Sequence, residues 1–297
     1  MEFKTIKTIK GMFFGFAFVM CGSANAIVIT TDNDANNLGS ALLGGGVTVI
    51  STTLNGQNAG AAVSSGTFTN VDNTYGIGAG IVLSTGDVRD YASGANTVIN
   101  KSTDYGTNAT AAQELLLDPI TGGAFDHYDV TQFDVVFDVD AATESIFFNA
   151  VFGSDEFPEF VGSDYIDAFG IYLNGINIAS FDSWPVNVDH SDMGMLAGTE
   201  LDGILDPTNG TGDPIMLFEG MVTPGSKNNV LTFIIADSSD GVYDSTVYLS
   251  GLGNFPPRGG QPGGGVVNVP EPASFALLGI GLLGMVGMQR RRKNNFI

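Results

Sequence analysis

The sequence holds a single cysteine, Cys21, inside its N-terminal apolar segment, so the rest of the chain has no disulfide partner of its own. Histidine is almost as scarce. His127 and His190 are the two present, neither lies in an HExxH pattern, and without cysteine ligands a structural or catalytic zinc site is not expected. No serine sits in a G-x-S-x-G elbow, which removes the main sequence signal for a Ser-His-Asp hydrolase, although acids flank both histidines (FDHYD and VDHSD). Trp184 is the lone tryptophan and precedes Pro185; it is expected to anchor core or loop rather than to serve as a sugar platform. The largest deficit is in positive charge. Seven of the eleven bases lie in the terminal segments, so that between Ile27 and Gly265 only Arg89, Lys101, Lys227 and Arg258 face thirty acids, a net of −26. Affinity for a phosphate backbone comes from clustered Lys and Arg, so nucleic acid is not an expected partner, whereas cations are.

The acids are concentrated. Asp155, Glu156, Glu159, Asp164 and Asp167 fall within thirteen residues that contain no Lys or Arg. Like charges at that density repel unless water, a cation or spreading around a loop relieves them. A second acidic stretch places Asp237, Asp240 and Asp244 around Gly241, a residue that permits a tight turn. Carboxylate and carbonyl oxygens at this density suit calcium, the expected cofactor, with these eight acids as its candidate ligands. The other reading is that they are solvated turn residues at strand ends. No catalytic residue is assigned. Two carboxylates at a set separation are all a glycosidase needs, and acids are too abundant here for that signal to mean anything alone. The run Asp32-Asn33-Asp34-Ala35-Asn36 resembles half of an EF-hand loop, but Asn37 stands where glycine is needed and Leu43 where glutamate is. It is read instead as a helix cap, with Asp32 or Asp34 before the apolar run Leu38–Leu43.

At 297 residues and 43% hydrophobic content, the chain can bury a substantial core. Short runs rich in aromatic and branched residues alternate with Gly, Asn, Ser and Thr clusters. The strand candidates are Val47–Thr53, Gly80–Thr85, Gln132–Val139, Ser145–Phe152, Ala168–Asn174, Ile176–Ser180, Ile215–Glu219, Val230–Ala236 and Ser245–Ser250. In Gln132–Val139 the period of two is clear, with Phe133, Val135, Phe137 and Val139 on one face and Asp134 and Asp138 on the other. Helical signal is minor, at Ala109–Leu117. The expected fold is mainly β, an antiparallel β-sandwich of jelly-roll type, with Phe133, Phe137, Phe147, Phe169 and Phe233 in its core.

The two ends read differently from this body. Lys4, Lys7 and Lys10 precede the apolar run Gly11–Met20, and Ala24-Asn25-Ala26 is a small-x-small site, so residues 1–26 are expected to be a signal peptide cut by signal peptidase after Ala26. The body occupies 27–253. Residues 254–269 hold five glycines and three prolines in sixteen positions and form a linker. In 270–297 the apolar run Ala273–Met288 is followed at once by Arg290, Arg291, Arg292 and Lys293. A transmembrane helix is expected there, its basic end in the cytoplasm and the body outside.

Phe152–Val161 (FGSDEFPEFV), with Ser163 and Asp167-x-Phe169-Gly170, resembles the central motif of the bacterial choice-of-anchor L domain. GIVLSTGDV (Gly80–Val88) and IADSSDGVYDSTVYL (Ile235–Leu249) extend the resemblance from about Val47 to Gly253. It departs at Ile166, where the family usually has Asn. Pro270-Glu271-Pro272, the apolar span and the arginine cluster, in that order, resemble the PEP-CTERM sorting signal of Gram-negative bacteria. That resemblance implies recognition by an exosortase, transient anchoring in the inner membrane, removal of the tail and delivery to the cell surface or extracellular matrix. The domain resemblance supplies no activity. The expected role is non-enzymatic, in adhesion or association with extracellular polysaccharide; the alternative is a secreted carbohydrate-active hydrolase on the same fold.

Overall fold

The alternation seen in Gln132–Val139 extends back to His127, and His127–Val139 forms one long strand. The computed structural model describes residues 27–123, 125–181, 183–208 and 211–257, and the backbone alone at 261–262. Ala24, Ala26, Pro270, Glu271, Pro272, Arg290, Arg291, Arg292 and the expected transmembrane helix lie outside the described residues. Among the described residues no helix is long and apolar enough to cross a membrane.

The elements that build the site are β1 (Ile27–Thr31), α1 (Ala35–Leu42), β2 (Val47–Asn55), β3 (Ser65–Asn70), β4 (Gly80–Ser84), α2 (Ala111–Thr121), β5 (His127–Val139), β6 (Ser145–Ser154), β7 (Ala168–Leu173), β8 (Trp184–Asn187), β9 (Gly203–Leu205), β10 (Met216–Met221), β11 (Asn229–Ser238) and β12 (Ser245–Gly253). One sheet runs β1-β3-β4-β12-β6, with β9 and β10 sharing the far edge of β6; the other runs β2-β5-β11-β7-β8. All these pairings are antiparallel, so the fold is the β-sandwich the alternation implies.

Between the sheets lie Phe133, Phe137, Phe169 and Phe233 from one side and Phe148, Phe152, Val247 and Leu249 from the other. Phe148 meets Phe233 edge to face across the layer at 5.4 Å, a geometry that adds roughly 0.5–1.5 kcal/mol beyond area burial. Phe147, expected in this core, is its neighbour's mirror. It is buried on the opposite face of β6, and Phe148 takes the core position. The reason is that β6 is covered on both faces, so its apolar run carries no alternation from which to read an inward side. The outer faces are also covered: Tyr75, Tyr91, Val151 and Tyr248 pack outside the first sheet, and α2 lays Leu117 and Ile120 over Val130, Ile234 and Ala236 of the second.

Local chemistry sets the helices. Asp34 caps α1 by accepting from Asn36 N–H at 2.8 Å, which accounts for the Asp32–Asn36 run. The second helix starts two residues later than Ala109 and runs on to Thr121, held by a Thr110–Gln113 capping box and closed by Gly122 at φ 75°. Ile176–Ser180 is not one strand; Ile176–Asn177 pairs back on Tyr172–Leu173 after the Asn174–Gly175 turn, and Ser180 opens a separate short strand, Ser180–Phe181, that pairs with Trp184–Pro185. Trp184 is not a core anchor. It is 61% exposed on β8, where it pairs with Phe181 of the short edge strand Ser180–Phe181.

The chain repeatedly passes from one sheet to the other, and the register shows where. Ser154 and Ser84 stand beside Ser245 and Thr246, while Ser238 and Ala236 stand opposite His127 and Ala168. Strands β4, β6 and β11 therefore end, and β5, β7 and β12 begin, at one end of the sandwich. Connections 85–126, 155–167 and 239–244 all cross there.

Candidate functional site

Those three crossings close the end of the core with carboxylates. Asp155, Asp167, Asp237 and Asp244 are fully buried, as is Glu156 at 1% exposure. Asp155 accepts from Asp202 N–H at 2.9 Å and from the Tyr91 hydroxyl at 3.1 Å. The same hydroxyl lies 3.2 Å from Asp244, whose other oxygen accepts from Thr103 N–H at 3.0 Å. Tyr91 thus joins two crossings on the outer side of the first sheet. In the layer between the sheets, Asp167 accepts from the Ser245 hydroxyl at 2.8 Å and from Ser238 N–H at 3.3 Å. Asp237 stands apart. Both its carboxylate oxygens are buried with no hydrogen-bond partner; the Thr85 side chain eases its charge without reaching hydrogen-bonding geometry. Glu156 Oε2 is unpartnered as well.

Burial is the main force on these groups, and mutual repulsion adds to it. It lifts Asp155 to about 8, Glu156 to about 9 and Asp244 to about 7, with Asp202, Asp167 and Asp90 respectively the first acids to add to the rise. Asp167 and Asp237 are pushed well above the ordinary carboxylate range by burial, and then by Asp244 and by Asp167 respectively. No base relieves them: among the described residues Arg89 pairs with Asp87, Lys101 with Asp90 at 3.1 Å, and Lys227 with Asp138 at the far end. Burial pushes Asp87 up too, but its bonds to Arg89 outweigh that and hold it below the usual range.

The sequence-predicted ligands therefore divide. Asp155, Glu156, Asp167, Asp237 and Asp244 gather at this end; Glu159 and Asp164 are exposed, and Asp240 is half-buried, its carboxylate accepting from Val242 N–H at 3.1 Å. Ile166 is buried beside the cluster at 8% exposure. Sequence reasoning missed Tyr91, Thr85 and Asp129. Asp129, at φ 47°, is fully buried and accepts from Tyr105 N–H at 2.7 Å and Thr107 N–H at 2.9 Å. The GIVLSTGDV match includes Thr85 without assigning it a role, and Tyr91 and Asp129 lie outside it. Gly86 has a clear reason: a Cβ there would sit 1.5 Å from Asp244 Oδ2, so only glycine lets the chain pass the carboxylate.

The histidines do not form a hydrolase site with their sequence neighbours. His190 is buried, its Nδ1 accepting from Asp192 N–H and its Nε2 facing the Phe181 carbonyl, both at 3.2 Å. His127 meets Glu114 of α2, not Asp126 or Asp129. A groove of about 480 Å³ lies alongside the cluster, lined by Asn96, Ile99, Glu159, Met195 and Asp202 among others, and none of the buried aspartates opens into it.

The PEP-CTERM protein-sorting motif matches residues 268–293. Among curated proteins none matches the chain. A solved structure described as xylan-binding module CBM15 is similar over 69% of this chain and 96% of its own, at 12% identity and a TM-score of 0.20, too loose a superposition to inform function. The choice-of-anchor L domain matches residues 27–254, the span that contains both sheets and all three crossings, and the chain belongs to that family as an exported, surface-directed protein.

Proposed function

We propose that this protein is a non-catalytic surface domain that associates with extracellular polysaccharide, and that calcium stabilises its acidic end. The observation that carries the calcium reading is Asp237, whose two buried oxygens have no partner. An unsatisfied buried carboxylate is costly, and a cation between it and its neighbours turns that cost into stabilisation. Calcium accepts six to eight oxygens at about 2.3–2.6 Å and takes carbonyls and water as readily as carboxylates. Asp237, Glu156 and Asp167 supply the charge. Among the described residues no three carboxylates of this cluster have oxygens all within 4.8 Å of one another, so binding draws Asp237 and Glu156 inward. Titration calorimetry on the full chain tests this. Calcium is expected to bind with release of protons from the raised carboxylates, and magnesium to bind more weakly; equal heats for both ions would sink the reading.

The polysaccharide reading draws on Trp184, whose exposed ring next to the sheet's edge offers a flat apolar face for a sugar. With −26 in the body, a neutral polymer suits it better than an anionic one. A hydrolase needs carboxylates that reach the glycosidic bond, and the buried aspartates are sealed from the neighbouring groove. A glycan array run beside a hydrolysis assay separates the two: retention without turnover is expected, and turnover that tracks a carboxylate variant would reverse it. In the same reading, signal peptidase cuts after Ala26, the C-terminal segment holds the chain in the inner membrane, and an exosortase removes it. Intact mass of surface-released protein with both termini retained would contradict that order.

A further inference from the structure

We infer that Glu114, Asp118 and His127 form a second metal site, separate from the carboxylate cluster, that takes a divalent transition ion of the zinc type. Glu114 and Asp118 lie four residues apart on α2, so their carboxylates share one face of the helix. His127 opens β5 beneath that face, its ring fully buried. One ligand atom from each of the three lies within 4.8 Å of the other two. The ring is aimed at the acids: Nδ1 is 2.5 Å from Glu114 Oε2, while Glu114 Oε1 accepts from the His127 backbone N–H at 3.1 Å.

An ion with bonds of about 2.0–2.2 Å and tetrahedral angles spaces its donors about 3.4 Å apart. Seating it therefore requires Glu114 Oε2 to retreat by about 1 Å from Nδ1. Glu114 can do so, because its side chain is 27% exposed while the imidazole is fixed. One nitrogen and two carboxylates leave a fourth position for water, and a nitrogen-bearing set of three favours zinc-like ions over calcium.

A second observation points the same way. His127 Nε2 is buried without a partner, and so is the Ser238 hydroxyl, which belongs to the residue directly opposite on β11. Side chains of opposed residues share a face, so Ser238 stands on the ring's side of the sheet, although its hydroxyl does not bond to Nε2. A metal on Nδ1 places the ring proton on Nε2, for which the Ser238 hydroxyl, once turned toward the ring, is the acceptor on that face.

The test is a titration of the full chain with cobalt(II), read by visible absorption in excess calcium. We expect one equivalent, the intense bands of four-coordinate cobalt, and displacement by zinc. Asp118→Asn, on the partly exposed helix face, is expected to weaken binding by at least about 100-fold, more than the loss of an outer partner costs. His127→Gln should abolish the bands, and circular dichroism checks that each variant is folded. If His127→Gln fails to fold, Glu114→Gln serves in its place. Absence of the bands in the wild type, or an unchanged titration in folded Asp118→Asn, would reduce the group to an ion pair.

Discussion

Where β5 turns into β6, Asp138 accepts from Asn228 N–H at 2.9 Å and pairs with Lys227, and Asp140 accepts from Ala142 N–H and the Thr143 hydroxyl at 2.9 and 2.8 Å. Hydrogen bonding holds both carboxyls below their ordinary range. At the other end of the same sandwich, Asp155, Asp167, Asp237 and Asp244 are driven above it by burial. Residue type is the same at both ends, so the difference comes from the connections. A tight turn such as 140–144 leaves its acids in water beside free N–H groups. Crossings stacked over the end of the core, from the short 239–244 to the long 85–126, seal theirs inside, where the charged form is disfavoured.

The largest effect expected from this contrast is in pH dependence. Groups with folded values of about 8, 9 and 7, above the unfolded carboxylate range, contribute stability that is complete below the unfolded value and is lost as pH rises through the folded one. In chelator, the unfolding midpoint is therefore expected to fall between about pH 4 and pH 9, and Asp244→Asn should flatten that fall. Asp138 and Asp140 have the opposite sign: their contribution is present above the unfolded value and is lost as pH drops through the depressed folded one. A midpoint that rises steadily from pH 5 to pH 9 would contradict the assignment of the buried end. Next in size is Gly86→Ala, which forces a Cβ against Asp244 Oδ2; about 3 kcal/mol of lost stability is expected in denaturant titration. Tyr91→Phe removes the hydroxyl between Asp155 and Asp244 and should cost about 2 kcal/mol by the same measure. Lys227→Ala, at the solvated end, is expected to shift the thermal midpoint least of all.

Much of the fold was legible because one face of a strand met a core and the other did not, as in Gln132–Val139. Legibility failed where both faces were covered, which is why Phe147 and Phe148 exchanged roles. It failed again in β1, whose short IVITT follows directly on the expected cleavage site, and in β3, whose SGTFTN is too polar to stand out from loop sequence. The acidic end was visible as composition. What composition could not give was the division of one loop into buried Asp155 and Asp167 and exposed Glu159 and Asp164, since that depends on which residues the crossing turns inward. Tyr91 and Thr85 reach the cluster through the long 85–126 connection and Asp129 from the start of β5, and apart from Thr85 in the GIVLSTGDV stretch nothing local in their sequence announces it. The absence of an HExxH pattern argued against zinc, yet helix spacing and a strand start bring Glu114, Asp118 and His127 together across the fold.

The central claim is that a cation relieves the buried end, and Asp237 is the residue that isolates it. The most direct measurement is the thermal midpoint of the wild type and of Asp237→Asn at pH 8, in calcium, magnesium and chelator at matched ionic strength. With calcium at about 100 times its dissociation constant, the wild type should gain about 2.7 kcal/mol. That corresponds to roughly 5–11 °C for a folded unit of this size. Asp237→Asn should melt above the wild type in chelator, having lost a buried carboxylate with no partner, and should respond little to calcium. A wild-type gain no greater in calcium than in magnesium, or an Asp237→Asn variant that gains as much from calcium as the wild type, would contradict it.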